Sequence, residues 1–356
     1  MTGGQGNRRQ TLDVVRGIAI LLVIAFHLDA ATGVAAIDAL RPVARAGWCG
    51  VDLFFVLSGF LVGGMVLEEA ARPEGLRLGR FFSRRALRLL PPLYAYLAAL
   101  LLIGGAQAWP MVMPVLFHLQ NYGTTAPSHL WSLAVEEHFY LAAAFALPWL
   151  ARRGGTRVIA ALMAVMIACL ALRTGALIAG ETHLHLQWQT QYRIDALTMG
   201  VLLAAVRLYR PALFAALTER RWLFGGVAAA GFAVLVTIGD DGWRPGLGFV
   251  IAYPAAAALI LALYSARIPR LLEWPACGLA RLGVIAYSLY IWHASVARVV
   301  EGLAPAIGSP LLVLALKYAA VIAVAAAMYA AVERPALRLR TVKWAFPRRA
   351  PKALAA

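Results

Sequence analysis

The chain has 356 residues, 62% of them hydrophobic, with a mean hydropathy of +0.73 and only 14% charged, which excludes a soluble globular domain. The formal charge of +16 at pH 7 does not point to nucleic acid. The 33 basic residues sit in short segments between long apolar stretches, where they carry topology.

The opening residues, MTGGQGNRRQ, are polar and basic and lead into an apolar run with no small-residue cleavage pattern, which reads as a retained first span. A helix needs roughly 20 mostly apolar residues to cross about 30 Å of hydrocarbon. On that criterion the sequence predicts an all-α, polytopic integral membrane bundle of about ten transmembrane helices, at 12–34, 48–68, 82–104, 129–150, 157–179, 194–209, 222–238, 246–265, 280–301 and 311–332. The apolar stretch from Pro110 to Gln120 is too short to span and reads as re-entrant or interfacial. Cys49, Cys169 and Cys277 lie far apart, form no ligand pattern and read as small packing residues, so no metal site is expected. Basic residues concentrate on the cytoplasmic side of membrane proteins. The N-terminal segment, the connections near 69–88, 151–157, 207–221 and 267–281, and the C-terminal segment hold 3, 6, 3, 4, 3 and 7 of them, or 26 of the 33. Both termini are therefore expected in the cytoplasm, with one membrane domain over residues 1–340 and a short basic cytoplasmic tail over 341–356.

Ionisable groups inside hydrocarbon are expensive and mark functional positions or their partners. In "RGIAILLVIAFH", Arg16 and His27 bracket ten apolar residues. Eleven helical steps return to nearly the same face about 16 Å further on, so one wall carries both. The fourth span, "HLWSLAVEEHFYL", brings Ser132, Glu136, Glu137 and His138 into the outer half of the bundle; the second brings Asp52, the sixth Arg193 and Asp195, and the ninth His293. At the other end the third span starts with "RFFSRRALRLLPP", in which Arg85 and Arg88 share a face beside Arg84 and can clamp phosphate by forked hydrogen bonds, or serve as an ordinary positive-inside anchor. Gly59, Gly63 and Gly64 read as close-packing positions between helices. His183 and His185 lie in an outer loop without further ligands at metal spacing. A histidine with a carboxylate partner in a dry cleft suits removal of a hydroxyl proton, or acceptance of an acyl group by the histidine itself. Arginines at the opposite mouth suit an anionic, phosphate-bearing donor.

These residues resemble the integral-membrane acyltransferase-3 family, which O-acylates sugars and other exported molecules. The likeness rests on Arg16 with His27, "GVDLFFVLSGFLV", the RxxR of Arg85 to Arg88, "HLWSLAVEEHFYL", "RIDALTMG" and "YSLYIWH", in one order from residue 16 to about 293. The resemblance implies an acyl-CoA donor, usually acetyl-CoA, bound from the cytoplasm, with a hydroxyl acceptor presented on the extracytoplasmic side. It makes His27 the essential histidine and Arg16 its motif partner, directs Arg85 and Arg88, with Arg84 beside them, to the CoA phosphates, and gives Glu136 or Glu137 the task of orienting His27 or the acceptor. Asp52, Ser132, Arg193, Asp195 and His293 are then the expected acceptor-side residues. Many members carry an appended extracytoplasmic SGNH-hydrolase-like domain; with the sequence ending soon after the tenth expected span, transfer is expected to finish within the membrane domain or with a separate extracytoplasmic partner.

The expected acceptor is a cell-surface glycan, with a lipid-linked precursor preferred, at the inner (cytoplasmic) membrane. A small molecule such as a macrolide is the alternative, with the same reaction and a different pocket. A proton-coupled transporter or flippase is the reading from another class, disfavoured because the sequence has no inverted repeat and no paired Gly/Pro-broken helices.

Overall fold

The computed structural model describes residues 3–238, 244–264, 266 and 268–339; the expected basic tail at 341–356 lies outside them. Among the described residues the chain is helical throughout, with no strand. Its main helices are α1 (Gly3–Leu28), α2 (49–70), α3 (Leu78–Gly104), α4 (Trp131–Ala151), α5 (Gly155–Ile178), α6 (Thr190–Tyr209), α7 (Arg221–Ile238), α8 (Phe249–Tyr264), α9 (Ala286–Gly302) and α10 (Pro310–Met328). Among the described residues seven helices are long and apolar enough to cross a membrane, or up to nine if each of two bent helix pairs counts as one span. The remaining expected span is α4, a continuous helix of 21 residues outside those nine, which carries Glu136, Glu137 and His138.

The two bent pairs have local causes. A bend of 113° separates α6 from the short helix Pro211–Glu219, and Arg210 between them has φ −136° and ψ 57°. Proline drives the residue before it out of the α region, so the chain turns at Arg210. The expected ninth span is not one straight helix either: Glu273–Val284 and α9 meet at 77°. Ile285 at the corner follows Gly283 and the β-branched Val284, a poor sequence for continuing a helix. The corner turns Tyr290 and His293 into the bundle. The stretch expected as re-entrant begins after Gly105, whose φ of 56° favours glycine, and forms the short helix Trp109–Leu116.

Two glycine contacts set the central packing. A Cβ on Gly59 of α2 would lie 1.9 Å from the Leu197 carbonyl oxygen of α6, and one on Gly200 would lie 2.0 Å from that of Val56. Gly17 of α1 and Gly283 oppose each other likewise, with the carbonyls of Leu279 and Asp13 at 2.0 and 1.9 Å from their hypothetical Cβ atoms. Without a net hydrophobic force between helices in lipid, such backbone approach lets dispersion contacts hold the helices together. The second contact fixes α1, and therefore Arg16 and His27, against the helix that leads into α9.

Gly200→Val puts a branched side chain where the α2 backbone already lies. Overpacking of this kind costs on the order of 1–3 kcal/mol. The variant is expected to lower the unfolding midpoint in detergent, followed by thiol-reactive dye at the buried cysteines, whereas an unchanged midpoint would show that α2 and α6 do not meet there.

Candidate active site

Arg16 and His27 open onto two different cavities, which share Val51 and Tyr290 in their walls. The first, of about 130 Å³, is lined by Arg16, Arg85, Arg88, Ser58, Ser132, Glu136, Tyr140 and Tyr287 among apolar side chains from α2, α3 and α4. The second, of about 210 Å³, is lined by His27, Ser128, His129, Arg193 and Arg244 together with Trp48, Trp131, Trp188, Phe26 and Phe249. Both are small clefts in which polar groups converge between apolar walls, as in ligand sites.

In the arginine cavity three guanidinium groups meet one carboxylate. Arg16 is half-buried and forms an ion pair with Asp13 one turn back on α1. The guanidinium carbon of Arg85 stands 5.4 Å from the centre of the Tyr140 ring, and its buried Nε has no hydrogen-bond partner. Tyr140 shares a 2.7 Å hydrogen bond with Ser58 of α2, which braces the wall beside Glu136. Arg85 and Arg88 are one turn apart on α3, so both reach the same cavity, and Arg84 lies outside its lining. Such a surplus of guanidinium suits an anion with several oxygens, phosphate above all.

The other cavity is built around imidazoles. His27 Nδ1 lies 2.9 Å from the Val23 carbonyl one turn back on α1. A carbonyl only accepts, so that nitrogen carries the proton in the neutral ring and Nε2 is left as the basic atom. The His27 ring packs edge-on against His293 at 4.7 Å between centroids, and His293 against His129 at 5.1 Å. His293 donates from Nδ1 to the Tyr290 carbonyl at 2.7 Å, and His129 donates from Nε2 to the Ile291 carbonyl at 3.0 Å. The buried Nε2 of His293 has no partner. All three rings thus commit one N–H to the backbone and keep one nitrogen as an acceptor. Among the described residues no group of three or more His, Cys, Asp or Glu side chains is arranged to hold a metal ion.

Behind this cavity lie two buried ion pairs. Arg193 of α6 donates to Asp52 of α2 at 2.8 Å, and Arg173 of α5 donates to Asp195 of α6 at 2.7 Å, with all four residues at most 1% exposed. The Arg193 guanidinium lies 3.5 Å from the centre of the Phe249 ring, a cation–π contact in a desolvated setting. Of these four only Arg193 reaches the cavity wall, so Asp52 and Asp195 act on it through their arginines. Each charge has its counter-charge, which is what burial at this depth requires.

The sequence expectation placed the glutamates of α4 level with His27, and the structure separates them. Glu136 lines the arginine cavity, and no hydrogen bond joins His27 to Glu136 or Glu137 among the described residues. The ring against His27 is His293. Ser132 lines the arginine cavity and shares a 2.6 Å hydrogen bond with the Tyr290 hydroxyl. His138 turns away to Thr190, at 2.7 Å. Residues at or behind the site that were not singled out from sequence include His129, Arg173 and Tyr290. Arg173 is a charge inside an apolar span, near its end, a signal present in the sequence; His129 sits at the very start of an expected span, where an ordinary boundary residue looks the same.

A polytopic helical bundle with a cationic cavity adjoining an imidazole cavity defines the class, a membrane protein. Its family follows from comparison: the Acyl_transf_3 family, an acyltransferase domain, matches residues 9–330, and the chain belongs to it. The chain is 26% identical over 312 residues to the O-acetyltransferase OatA of Staphylococcus aureus, covering 79% of this chain and 49% of that protein. It is 30% identical over 152 residues to the peptidoglycan O-acetyltransferase OatA of Listeria monocytogenes, covering 37% of this chain and 23% of that protein. The chain therefore spans at most about half the length of these relatives. No solved structure matches it. The match makes it a member of an acyltransferase family.

Asp52→Leu leaves Arg193 buried without its counter-charge, and breaking a buried pair in this way costs about 3–5 kcal/mol. The single variant should unfold at markedly lower temperature, and Asp52→Leu with Arg193→Met should recover most of the loss. A double variant no more stable than the single one would contradict the pairing.

Proposed function

We propose that the protein is a membrane O-acyltransferase that takes an acyl group, acetyl by preference, from acyl-CoA in the arginine cavity and passes it to a hydroxyl of a cell-surface or lipid-linked glycan in the His27 cavity. The observation that carries this reading is the pair of cavities back to back, one rich in guanidinium and the other opening onto an imidazole whose basic nitrogen is free. The Listeria relative is named for peptidoglycan, and peptidoglycan is the first acceptor to test. The excess of basic residues on one side supports a cytoplasmic arginine cavity and an extracytoplasmic His27 cavity.

Arg85 and Arg88 would grip CoA phosphates, while Phe54, Leu57, Leu61 and Leu89 of the same lining suit the apolar part of a pantetheine arm. At the other end, His27 Nε2 takes the proton from the acceptor hydroxyl as its oxygen attacks the thioester carbonyl. The C–S bond breaks and the thiolate leaves; the proton returns from His27 to sulfur, so ester and CoA thiol account for every atom. The Nδ1–H bond to the Val23 carbonyl holds the ring through both transfers and favours the imidazolium between them. Three tryptophans in the outer lining offer flat apolar faces for a sugar ring.

Two variants separate the ends. His27→Ala should cut transfer from labelled acetyl-CoA by about 10²-fold or more, the scale of a general base, and leave CoA binding intact. Arg85→Ala with Arg88→Ala should weaken CoA binding by about 10²-fold, as expected for two charge-assisted contacts. CoA release unaffected by His27→Ala in the presence of a peptidoglycan acceptor would overturn the reading.

A further inference from the structure

For acyl transfer, the two cavities must communicate, and the structure holds them apart. Val51 and Tyr290 are the residues common to both linings among those described. The Tyr290 hydroxyl is tied to one group on each side. It shares a 2.6 Å hydrogen bond with Ser132, which lines the arginine cavity, and donates at 2.5 Å to the backbone carbonyl of His129, which lines the His27 cavity. Its ring meets Phe54 edge-on at 6.5 Å between centroids on the arginine side and faces His129 at 6.2 Å and His293 at 5.8 Å on the other. Tyr290 is 6% exposed and sits just beyond the 77° corner at Ile285, so its position is set by where that bend places α9.

We propose that Tyr290 is a movable partition between the donor and acceptor cavities, latched shut by Ser132 and the His129 carbonyl and displaced when the acyl group passes. A continuous opening between the arginine end and His27 would admit water to the thioester and let small ions through the bundle. A partition restricts both. Side-chain rotation of one tyrosine costs two hydrogen bonds, which water or a substrate hydroxyl entering the cavity can replace. The residue thus couples passage to occupancy: an acceptor hydroxyl that reaches His27 lies beside the latch and can compete for it. This proposal rests on the acyl-transfer reading for its purpose, although the partition itself is legible in the geometry alone.

The test reads access across the partition separately from chemistry. In protein with Cys49, Cys169 and Cys277 replaced by serine, Ser128→Cys puts a thiol on the exposed wall of the His27 cavity. The protein is reconstituted in vesicles, and a membrane-impermeant thiol reagent is applied to one face at a time. With Tyr290 in place, labelling is expected from the His27 face and to be slow from the arginine face. Tyr290→Phe keeps the ring and removes the latch, and should speed labelling from the arginine face about tenfold, the population shift expected from losing such bonds. Tyr290→Gly should label at comparable rates from both faces. Ser132→Ala, which removes one bond and no bulk, should lie between the intact protein and Tyr290→Phe and guards against misfolding of the larger changes. Equal labelling from the arginine face in all four proteins would overturn the partition. Acetyl-CoA turnover on the same samples reads the acyl-transfer assignment independently: its loss with sided labelling intact would contradict the chemistry and leave the partition standing.

Discussion

Ten residues of α1 lie between Arg16 and His27, and the helical rise turns those eleven steps into a fixed span of about 16 Å along a single face. Everything at the site is arranged around this rod. Polar side chains in an apolar bundle have to be met by other polar side chains. At the Arg16 end α3 supplies Arg85 and Arg88 and α4 supplies Glu136; at the His27 end α9 supplies His293 and the short turn Ser128–Leu130 just before α4 supplies His129. The rod is held in place by the Gly17–Gly283 contact, where backbone touches backbone. A shift of α1 by one turn would take both cavities apart together.

The buried ion pairs do a different job. Arg173 with Asp195 and Arg193 with Asp52 tie α5, α6 and α2 together in a region where the hydrophobic effect cannot, since lipid is as apolar as a leucine side chain. Asp52 and Asp195 are spent on this pairing, and Arg193, stacked on Phe249, presents its charge to the His27 cavity already neutralised in part. The electrostatics of the His27 cavity are thus preorganised by groups that do not themselves line it.

Much of the fold was legible in the amino-acid sequence, because apolar run length is a strong signal in a membrane: α3, α5, α6 and α7 start within about four residues of the positions expected, the usual uncertainty of such boundaries. The corner at Ile285 was not legible, as no proline marks it. The direction a side chain takes around its helix was not legible either. Glu136 and His27 come to similar levels by residue count, yet the rotation of α4 directs Glu136 to the arginine cavity. Rotation is set by packing partners such as Ser58 with Tyr140, which no single-helix pattern contains. The same holds for His129: its significance lies in two rings from other parts of the chain, Tyr290 and His293.

The central claim is that the acyl group travels between opposite ends of α1, through the bundle. The direct test is a sided assay in sealed vesicles holding protein of a single orientation, with labelled acetyl-CoA on the arginine face and peptidoglycan oligosaccharides confined to the other. The account predicts label on the oligosaccharide and free CoA on the side where the donor was added. Transfer that occurs only when donor and acceptor share one side of the intact bilayer would contradict it.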